Sequence, residues 1–345
     1  MEDINMKRFL GIMLSAVLAM GCLSACGTTA GQNETNTPPA QENPDTNSGD
    51  KISIVTTIFP EYDWVKNILG DNAENAELTL LLDNGVDLHS YQPTAEDILK
   101  ISGCDMFVYV GGESDEWVED VLESAENKDM EVIDLLEVVG DELKEEEVKE
   151  GMQAEEEHEE EHEEGEEETE YDEHVWLSVK NAKVICEKIA DELGALDPKN
   201  AESYKSNYEA YAQKLDALDK DFTELAENTQ NKTLVFGDRF PFRYFVDDYG
   251  FDYYAAFVGC SAETEASFET VVFLARKMDE LSSDTIYTIE NSDRKIAQAV
   301  INSSQNKERS IAVLDSMQSA GEDQDYISIM RSNYEVLKNT LDHTF

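Results

Sequence analysis

Histidine is scarce in this sequence, with 5 in 345 residues, and two of the five border strand-like or apolar segments. His89 follows the strand-like run from Leu78 to Leu82 after a short turn. The carboxyl end of a parallel strand is where α/β folds place ligand-binding groups. His174 comes immediately before the apolar Val175-Trp176-Leu177. Either histidine alone is better explained as a surface or capping residue, but the two together predict a metal site, because neutral imidazole is a common metal ligand.

A second pair of histidines lies inside a run of glutamates. His158-Glu159-Glu160-Glu161-His162 matches HExxH, in which two histidines bind zinc and the glutamate activates water in zinc proteases. Nearly all the flanking residues are acidic or polar, so a helix here would have no apolar face to bury. We therefore favour a solvated loop that attracts cations, with His158 and His162 as auxiliary metal-binding residues. An inert acidic tract and a protease are the alternatives.

Three cysteines lie beyond the N-terminal region, and they are widely spaced. Cys104, Cys186 and Cys260 form neither a disulfide framework nor a CxxC metal motif. Each has apolar neighbours, so we expect all three to be buried small hydrophobic residues. Cys260 is kept as an alternative metal ligand.

Strand-like and helix-like segments alternate from Lys51 to the end of the chain. The predicted strands are Ile52–Ile58, Leu78–Leu82, Met106–Val110, Val132–Leu136, Thr233–Phe236, Tyr253–Val258, Thr285–Ile289 and Ser310–Leu314. The predicted helices include Tyr62–Leu69, Ala95–Lys100, Phe242–Asp248, Phe268–Leu281, Arg294–Ser303 and Tyr326–Leu341. This alternation indicates βαβ units and parallel sheets. We predict an α/β fold of two lobes, each with a mostly parallel sheet flanked by helices.

One long amphipathic helix is predicted between the two clusters of strands. Apolar residues recur there at alternating steps of four and three, at Tyr204, Tyr208, Tyr211, Leu215, Leu218, Phe222 and Leu225. That spacing puts them on one helical face. We predict a rigid helix at 201–228 that joins an N-terminal lobe, 51–200, to a C-terminal lobe, 229–345. A helix within a single larger domain is the alternative.

The charge of the chain excludes one class of partner. The sequence has 77 Asp and Glu against 26 Lys and Arg, a formal net charge of -51. Binding to nucleic-acid phosphates needs clusters of basic residues, so we expect no nucleic-acid partner. The segment 141–174 alone holds 20 acidic residues and 2 lysines. A block of like charge stays solvated, so we expect this acidic loop, 141–173, to remain unpacked and either disordered or loosely helical.

The N-terminal residues have the pattern of an export signal. Met6-Lys7-Arg8 precedes an apolar run of about a dozen residues, too short for a bilayer span, which needs roughly 20. Leu23-Ser24-Ala25-Cys26 then resembles the lipobox of bacterial lipoproteins. We predict a lipoprotein signal peptide at 1–25, lipidation of Cys26, and a disordered tether at 26–50 rich in Gly, Thr, Asn and Pro. An ordinary secretory signal is the alternative.

Several motifs together resemble the metal-binding solute-binding lipoproteins of bacterial ABC importers for zinc and manganese. Residues 54–60 look like the first strand of that family, and residues 84–94, Asn-Gly-Val-Asp-Leu-His-Ser-Tyr-Gln-Pro-Thr, look like its first ligand loop. His174-Val175-Trp176-Leu177 resembles its second ligand motif, with Ser178-Val179 where Asp-Pro is usual. The acidic insertion with histidines is typical of the zinc branch. The resemblance covers nearly all of 51–345 and implies that His89 and His174 are metal ligands.

The third ligand is where this sequence departs from the family. Members place His or Glu a few residues before an aromatic stretch that ends in Tyr-Gly, and counting back from Tyr244 gives Arg239. A guanidinium has no lone pair to offer a metal. Asp238 is the substitute if the loop carries one extra residue. The fourth family ligand, an Asp after a Leu, corresponds to Asp315 after the last strand. Alternative substitutes are Glu263, Glu265 and Glu290.

This resemblance implies a capture function and not catalysis. We expect an extracytoplasmic protein that binds Zn2+ between its lobes and delivers it to an ABC permease in the cytoplasmic membrane. Two imidazoles and two carboxylates suit zinc, with manganese as the alternative because it tolerates more oxygen ligands. The lipid on Cys26 would hold a monomer at the outer face of that membrane. A surface adhesin and a zinc hydrolase are the alternatives from other classes.

Overall fold

Four parallel strands form the first sheet. The computed structural model describes residues 51–83, 85–153, 170–261 and 265–341. The first sheet has the spatial order β2-β1-β3-β4, with β1 at Ile52–Thr56, β2 at Ala76–Leu80, β3 at Met106–Tyr109 and β4 at Glu131–Asp134. Ile54 of β1 is aligned with Leu78 on one side and with Met106 on the other. The loops that follow these parallel strands therefore meet at one edge of the sheet.

The second half of the chain contains three parallel strand pairs. The strands are β5 Thr233–Val235, β6 Arg239–Phe240, β7 Asp252–Tyr254, β8 Phe257–Val258, β9 Thr285–Thr288 and β10 Ser310–Val313. The pairs are β5 with β7, β6 with β8, and β9 with β10. Phe236, the residue after β5, forms a parallel bridge with Tyr287 of β9 and so connects two of these pairs.

Ten α-helices pack around the strands in the described ranges. They are α1 Phe59–Leu69, α2 Ala95–Gly103, α3 Trp117–Ser124, α4 Leu135–Val139, α5 Val179–Leu196, α6 Ala201–Asn228, α7 Arg243–Tyr249, α8 Phe268–Leu281, α9 Lys295–Ser303 and α10 Tyr326–Thr340. None of them is long and apolar enough to cross a membrane. The long helix predicted at 201–228 is α6, and the predicted two-lobed α/β class is confirmed. The residue boundaries of the two lobes stay a prediction.

Two predicted strands are longer than the observed ones, and in each case a local hydrogen bond lies where the observed strand ends. The strand predicted at Val132–Leu136 stops at Asp134, whose side chain accepts the backbone N–H of Glu137 at 3.0 Å and caps α4. The strand predicted at Tyr253–Val258 is divided into β7 and β8. The backbone N–H of Ala256, between them, donates to the carbonyl of Asp238 at 3.1 Å.

The prediction that the whole acidic loop stays unpacked is wrong at its two flanks. Glu145 forms an antiparallel bridge with Tyr171, and the backbone N–H of Asp172 donates to the carbonyl of Lys144 at 2.9 Å. Met152 packs against the apolar core. These contacts are made by main-chain N–H and C=O groups, which the charge argument alone did not consider. His158 and His162 lie outside the described residues, as do Cys26, Glu263 and the predicted signal peptide and tether.

A continuous apolar core joins the two halves of the chain. It runs from Ile54 in the first sheet, through Leu215 and Phe222 on α6, to Phe236 after β5 and to Tyr326 at the start of α10. The same apolar face of α6 that the sequence predicts supplies these contacts. Because one helix contributes to the core on both sides, it positions the first sheet relative to the strand pairs of the second half.

Asp63 is a buried carboxyl that links three helices of this core. It lies on α1, accepts the hydroxyl of Tyr211 on α6 at 3.3 Å, and accepts the backbone N–H of Tyr326 on α10 at 3.2 Å. Burial raises the pKa of Asp63 from 3.8 to about 6, although both hydrogen bonds oppose the change. The folded protein therefore binds the Asp63 proton more tightly than the unfolded chain does.

This shift predicts a pH dependence of stability. The Asp63 contribution is fully present below about pH 4 and is lost as pH rises through 6, with an upper limit of ~3 kcal/mol in the free energy of unfolding. Urea unfolding at pH values from 4 to 7 should show a smaller decline in Asp63→Asn than in the parent chain. Asp71→Asn, at an exposed aspartate, is the control and should leave the decline unchanged. Equal slopes in the parent chain and Asp63→Asn would contradict the prediction.

Candidate metal site

His89 lies in the connection between β2 and α2. Asp87 begins a short 3-10 helix, Leu88–Ser90, by accepting the backbone N–H of His89 at 3.1 Å. Thr94 and Asp97 then form a capping box at the start of α2. The loop is thus anchored on both sides of His89, at the carboxyl edge of the first sheet where the sequence predicts it.

His174 is fully buried directly after the acidic loop. Its backbone N–H donates to Asp172 at 2.9 Å, and the residues that follow form the short 3-10 helix Val175–Leu177. The indole N–H of Trp176 donates to the carbonyl of Ser316 at 2.9 Å. This bond joins the His174 segment to the loop after β10, which also contributes to the site.

The imidazoles of His89 and His174 face each other through their Nε2 atoms. The two atoms are 3.2 Å apart. The side-chain Nε2 of Gln318 lies 3.1 Å from Nε2 of His89 and 2.7 Å from Nε2 of His174. The two histidines that the sequence selected therefore meet, together with a residue that it did not select.

The partners of the two Nδ1 atoms determine which nitrogens carry hydrogen. Nδ1 of His174 lies 3.0 Å from the carboxylate of Asp172, so it must be the donor. Nδ1 of His89 lies 2.8 Å from the hydroxyl of Ser114, whose own hydrogen goes to Glu173 at 2.6 Å. The hydroxyl therefore accepts from His89. In both rings Nε2 is left with a lone pair, and the Gln318 amide has one N–H for each.

Burial keeps the His89 ring neutral. Burial, followed by the charge of the neighbouring His174, lowers the pKa of His89 from 6.5 to about 3. A metal needs the neutral form of its histidine ligands. A carboxylate, such as that of Asp172 on the His174 ring, is a usual partner for the second ring nitrogen of a histidine that binds a metal. The tautomers, the burial and the facing Nε2 atoms all fit a divalent cation.

Gln318 is held in place through its backbone by Glu290. The Glu290 carboxylate accepts the backbone N–H of Ser316 at 2.7 Å and that of Gln318 at 3.1 Å. Glu290, proposed from the sequence as a substitute ligand, thus organises the loop after β10. Gln318 itself was missed, and the signal that could have found it is its position three residues after Asp315 in the same loop.

Arg239, the residue that the resemblance gives at the position of a third ligand, has no lone pair for a metal. Its guanidinium forms an ion pair with Asp87 and donates to Oε1 of Gln318 at 2.8 Å. Burial raises the pKa of Asp87, but the hydrogen bond and charge of Arg239 outweigh burial and lower it. The residue reached by counting back from Tyr244 therefore does face the site. It does so as a cation that binds Asp87 and Gln318.

The structure does not bring the two predicted aspartates to the histidine pair. Within the described ranges, the one group of three or more candidate ligands with atoms within 4.8 Å of one another contains neither Asp238 nor Asp315. Asp238 accepts the backbone N–H of Arg239 at 3.0 Å, and Asp315 accepts that of Met317 at 2.8 Å. Burial, followed by the charge of Glu290, raises the pKa of Asp315 to about 6. Glu265, another proposed substitute, is exposed and is also outside the group.

Cys260 is the third member of that group. It follows β8, and one ligand atom each from His89, His174 and Cys260 lies within 4.8 Å of the other two. Gly259 allows this approach, because a Cβ there would lie 2.8 Å from Cε1 of His174 and 2.9 Å from the carbonyl oxygen of Phe240. Burial raises the pKa of Cys260 well above its usual range, and the charges of Asp172 and Glu173 add to the effect. The metal-free thiol is therefore protonated.

The fold and this site define a class, the two-lobed solute-binding proteins with parallel sheets flanked by helices. Within that class, the family described as "Zinc-uptake complex component A periplasmic" (ZnuA) matches residues 54–340, and the chain belongs to this family.

Relatives of the chain agree with that assignment. The zinc-binding lipoprotein AdcA of Streptococcus pneumoniae serotype 4 is 32% identical over 303 residues, which are 85% of this chain and 56% of AdcA. This chain thus spans just over half the length of the AdcA relatives. The high-affinity zinc uptake system protein ZnuA of Bacillus subtilis is 28% identical over 338 residues, with 97% and 98% of the two chains covered. The Zn(II)-bound ZnuA-like domain of S. pneumoniae AdcA has a TM-score of 0.65 and 29% identity, covering 85% of this chain and all of that domain.

The close approach of Gly259 to His174 predicts the effect of one methyl group. Gly259→Ala should lower the free energy of unfolding by about 1–3 kcal/mol, because the added carbon overpacks the buried ring. The measurement is urea unfolding of the metal-free chain. Gly103→Ala, at an exposed helical glycine with nothing within 4 Å of the new carbon, should be neutral or stabilise by up to about 1 kcal/mol. Equal stability of Gly259→Ala and the parent chain would mean that this close packing is absent in solution.

Proposed function

We propose that this chain captures Zn2+ at His89 and His174 and delivers it to an ABC permease. The observation that carries the proposal is the pair of buried Nε2 atoms 3.2 Å apart, each with its Nδ1 hydrogen donated to an oxygen acceptor. Membership of a zinc-uptake family supports it. So do the names of relatives described as zinc-binding or zinc-uptake proteins.

Zinc is the cation that this donor set favours. Imidazole suits zinc, whereas manganese prefers sites rich in oxygen ligands, and affinities at a given site rise from manganese to zinc. His89 and His174 provide two nitrogen donors in a buried position. Asp238 and Asp315 stay predicted ligands from the sequence, since a carboxylate that accepts one backbone N–H keeps further lone pairs for a metal. The proposal does not require either aspartate.

The site is proposed to bind its cation and not to activate water. A hydrolytic zinc site holds a water in an open position beside a general base. Here the groups that meet the two Nε2 atoms are an amide and, beyond it, a guanidinium, neither of which can act as a base.

Location and delivery follow from the same proposal. The family description is periplasmic, which agrees with an extracytoplasmic position. We propose that Cys26 carries the lipid that holds the protein at the outer face of the cytoplasmic membrane, beside the permease. A surface adhesin stays the alternative function, and the histidine substitutions below test metal capture alone.

The acidic loop is proposed to concentrate cations near the site. The charged segment runs directly into Asp172, Glu173 and His174, so its end is part of the site. A dense negative charge raises the local concentration of cations and falls in effect as salt is added. His158 and His162 would add weak binding without forming the capture site.

Histidine substitutions test the proposal with a matched control. His89→Ala and His174→Ala should each weaken zinc binding by more than about 100-fold, since loss of an outer partner of a metal ligand already costs roughly 10- to 100-fold. The control, His158→Ala with His162→Ala, makes the same change in the acidic loop and should leave one tight zinc equivalent. The measurement is competition for zinc against a chelating indicator, with thermal unfolding of the metal-free variants as a check on folding. Tight binding that is lost only in the loop variant would contradict a site at His89 and His174.

A further inference from the structure

The histidine pair needs donors beyond its two nitrogens to hold a zinc ion. Zinc in proteins is usually four-coordinate, with nitrogen, sulfur and oxygen ligands. The position that resembles a third ligand is Arg239, which has no lone pair and is tied to Asp87 and Gln318. The carboxylates of Asp238 and Asp315 bind backbone N–H groups of their own loops. Neither carboxylate is in the group whose ligand atoms lie within 4.8 Å of one another around the two histidines, so the candidates for the third donor are the residues that are.

Cys260 is already in position to be that donor. Among the His, Cys, Asp and Glu side chains of the described ranges, it is the one grouped with both histidines, with ligand atoms within 4.8 Å of one another. Gly259, the preceding residue, packs directly against the His174 ring. A Cβ added at Gly259 would lie 2.8 Å from Cε1 of that ring. The other two described thiols, Cys104 and Cys186, are fully buried in the apolar cores and are not in this group.

We propose that Cys260 supplies a thiolate as the third protein ligand of the site formed by His89 and His174. The inference rests on the proposed function and specifies its chemistry, a donor set of two imidazole nitrogens and one sulfur. Thiolate ligands favour zinc and other borderline or soft cations over manganese, which prefers oxygen. A site with this sulfur ligand discriminates against manganese more strongly than the site with two carboxylates that the sequence predicts.

The binding step balances without any further reactant. The hydrated cation loses water molecules, the S–H bond of Cys260 breaks, and a sulfur–metal bond forms while one proton leaves to water. The amide of Gln318 must leave the two imidazoles, because its N–H groups use the lone pairs that the cation needs. Its hydrogen bond with Arg239 can then break while Arg239 keeps its ion pair with Asp87.

Cobalt substitution of the full chain tests the sulfur ligand directly. Co2+ has ligand preferences close to those of zinc, and a cobalt–thiolate bond produces a charge-transfer band in the near ultraviolet that imidazole and carboxylate ligands do not give. The parent chain with one equivalent of Co2+ should show this band, and Cys260→Ser should lose it. Zinc affinity, measured by competition with a chelator, should fall about 10-fold or more in Cys260→Ser, while manganese affinity should change less.

A double variant, Cys104→Ala with Cys186→Ala, is the control, and it should keep the band. A parent chain that binds Co2+ and zinc through His89 without the band would overturn the sulfur ligand and leave the proposed function intact. A band that survives in Cys260→Ser would also overturn it, because another thiol would then be the ligand. A chain that binds neither metal would overturn both the sulfur ligand and the proposed function.

Discussion

Two imidazole lone pairs that face each other at 3.2 Å in a buried position are the constraint on which this site depends. Such lone pairs repel unless a hydrogen-bond donor or a cation lies beside both of them. In the structure the amide of Gln318 provides the donor. Asp172 and the Ser114–Glu173 pair hold the hydrogens on the opposite ring nitrogens, which prevents either ring from relieving the repulsion by changing its tautomer. The arrangement is therefore prepared for a divalent cation.

The fold explains how residues so far apart in the sequence meet this constraint. Loops after parallel strands of the first sheet carry His89 and Ser114, and loops after β8 and β10 carry Cys260 and Gln318. The Trp176 indole ties the His174 segment to the loop after β10. The shared core around α6 holds the two sets of loops in register, because a change in one half would have to disturb the packing of the other.

Sequence patterns predicted the parts of the structure that depend on periodicity. The limits of α6 and α8 match the predicted helices, since both have a regular apolar face and flanking residues that end a helix. His89 and His174 were found because rare residues stood at strand or helix boundaries. Counting from the family motif reached Arg239, but its contacts with Asp87 and Gln318 left no sequence signal. Gln318 was missed because its contacts span 79 or more residues. Cys260 was kept only as an alternative ligand, because its approach to His174 depends on the absence of a side chain at Gly259. The flanks of the acidic loop escaped prediction because backbone pairing leaves little trace in side-chain charge.

Anomalous diffraction at the zinc absorption edge tests the central claim most directly, with crystals of the full chain loaded with one equivalent of zinc. The account predicts one strong peak bonded to Nε2 of His89 and to Nε2 of His174, at about 2.0–2.1 Å from each. The amide of Gln318 should have moved away from both rings. A peak bonded only by carboxylates elsewhere, with Gln318 still donating to the two imidazoles, would contradict it.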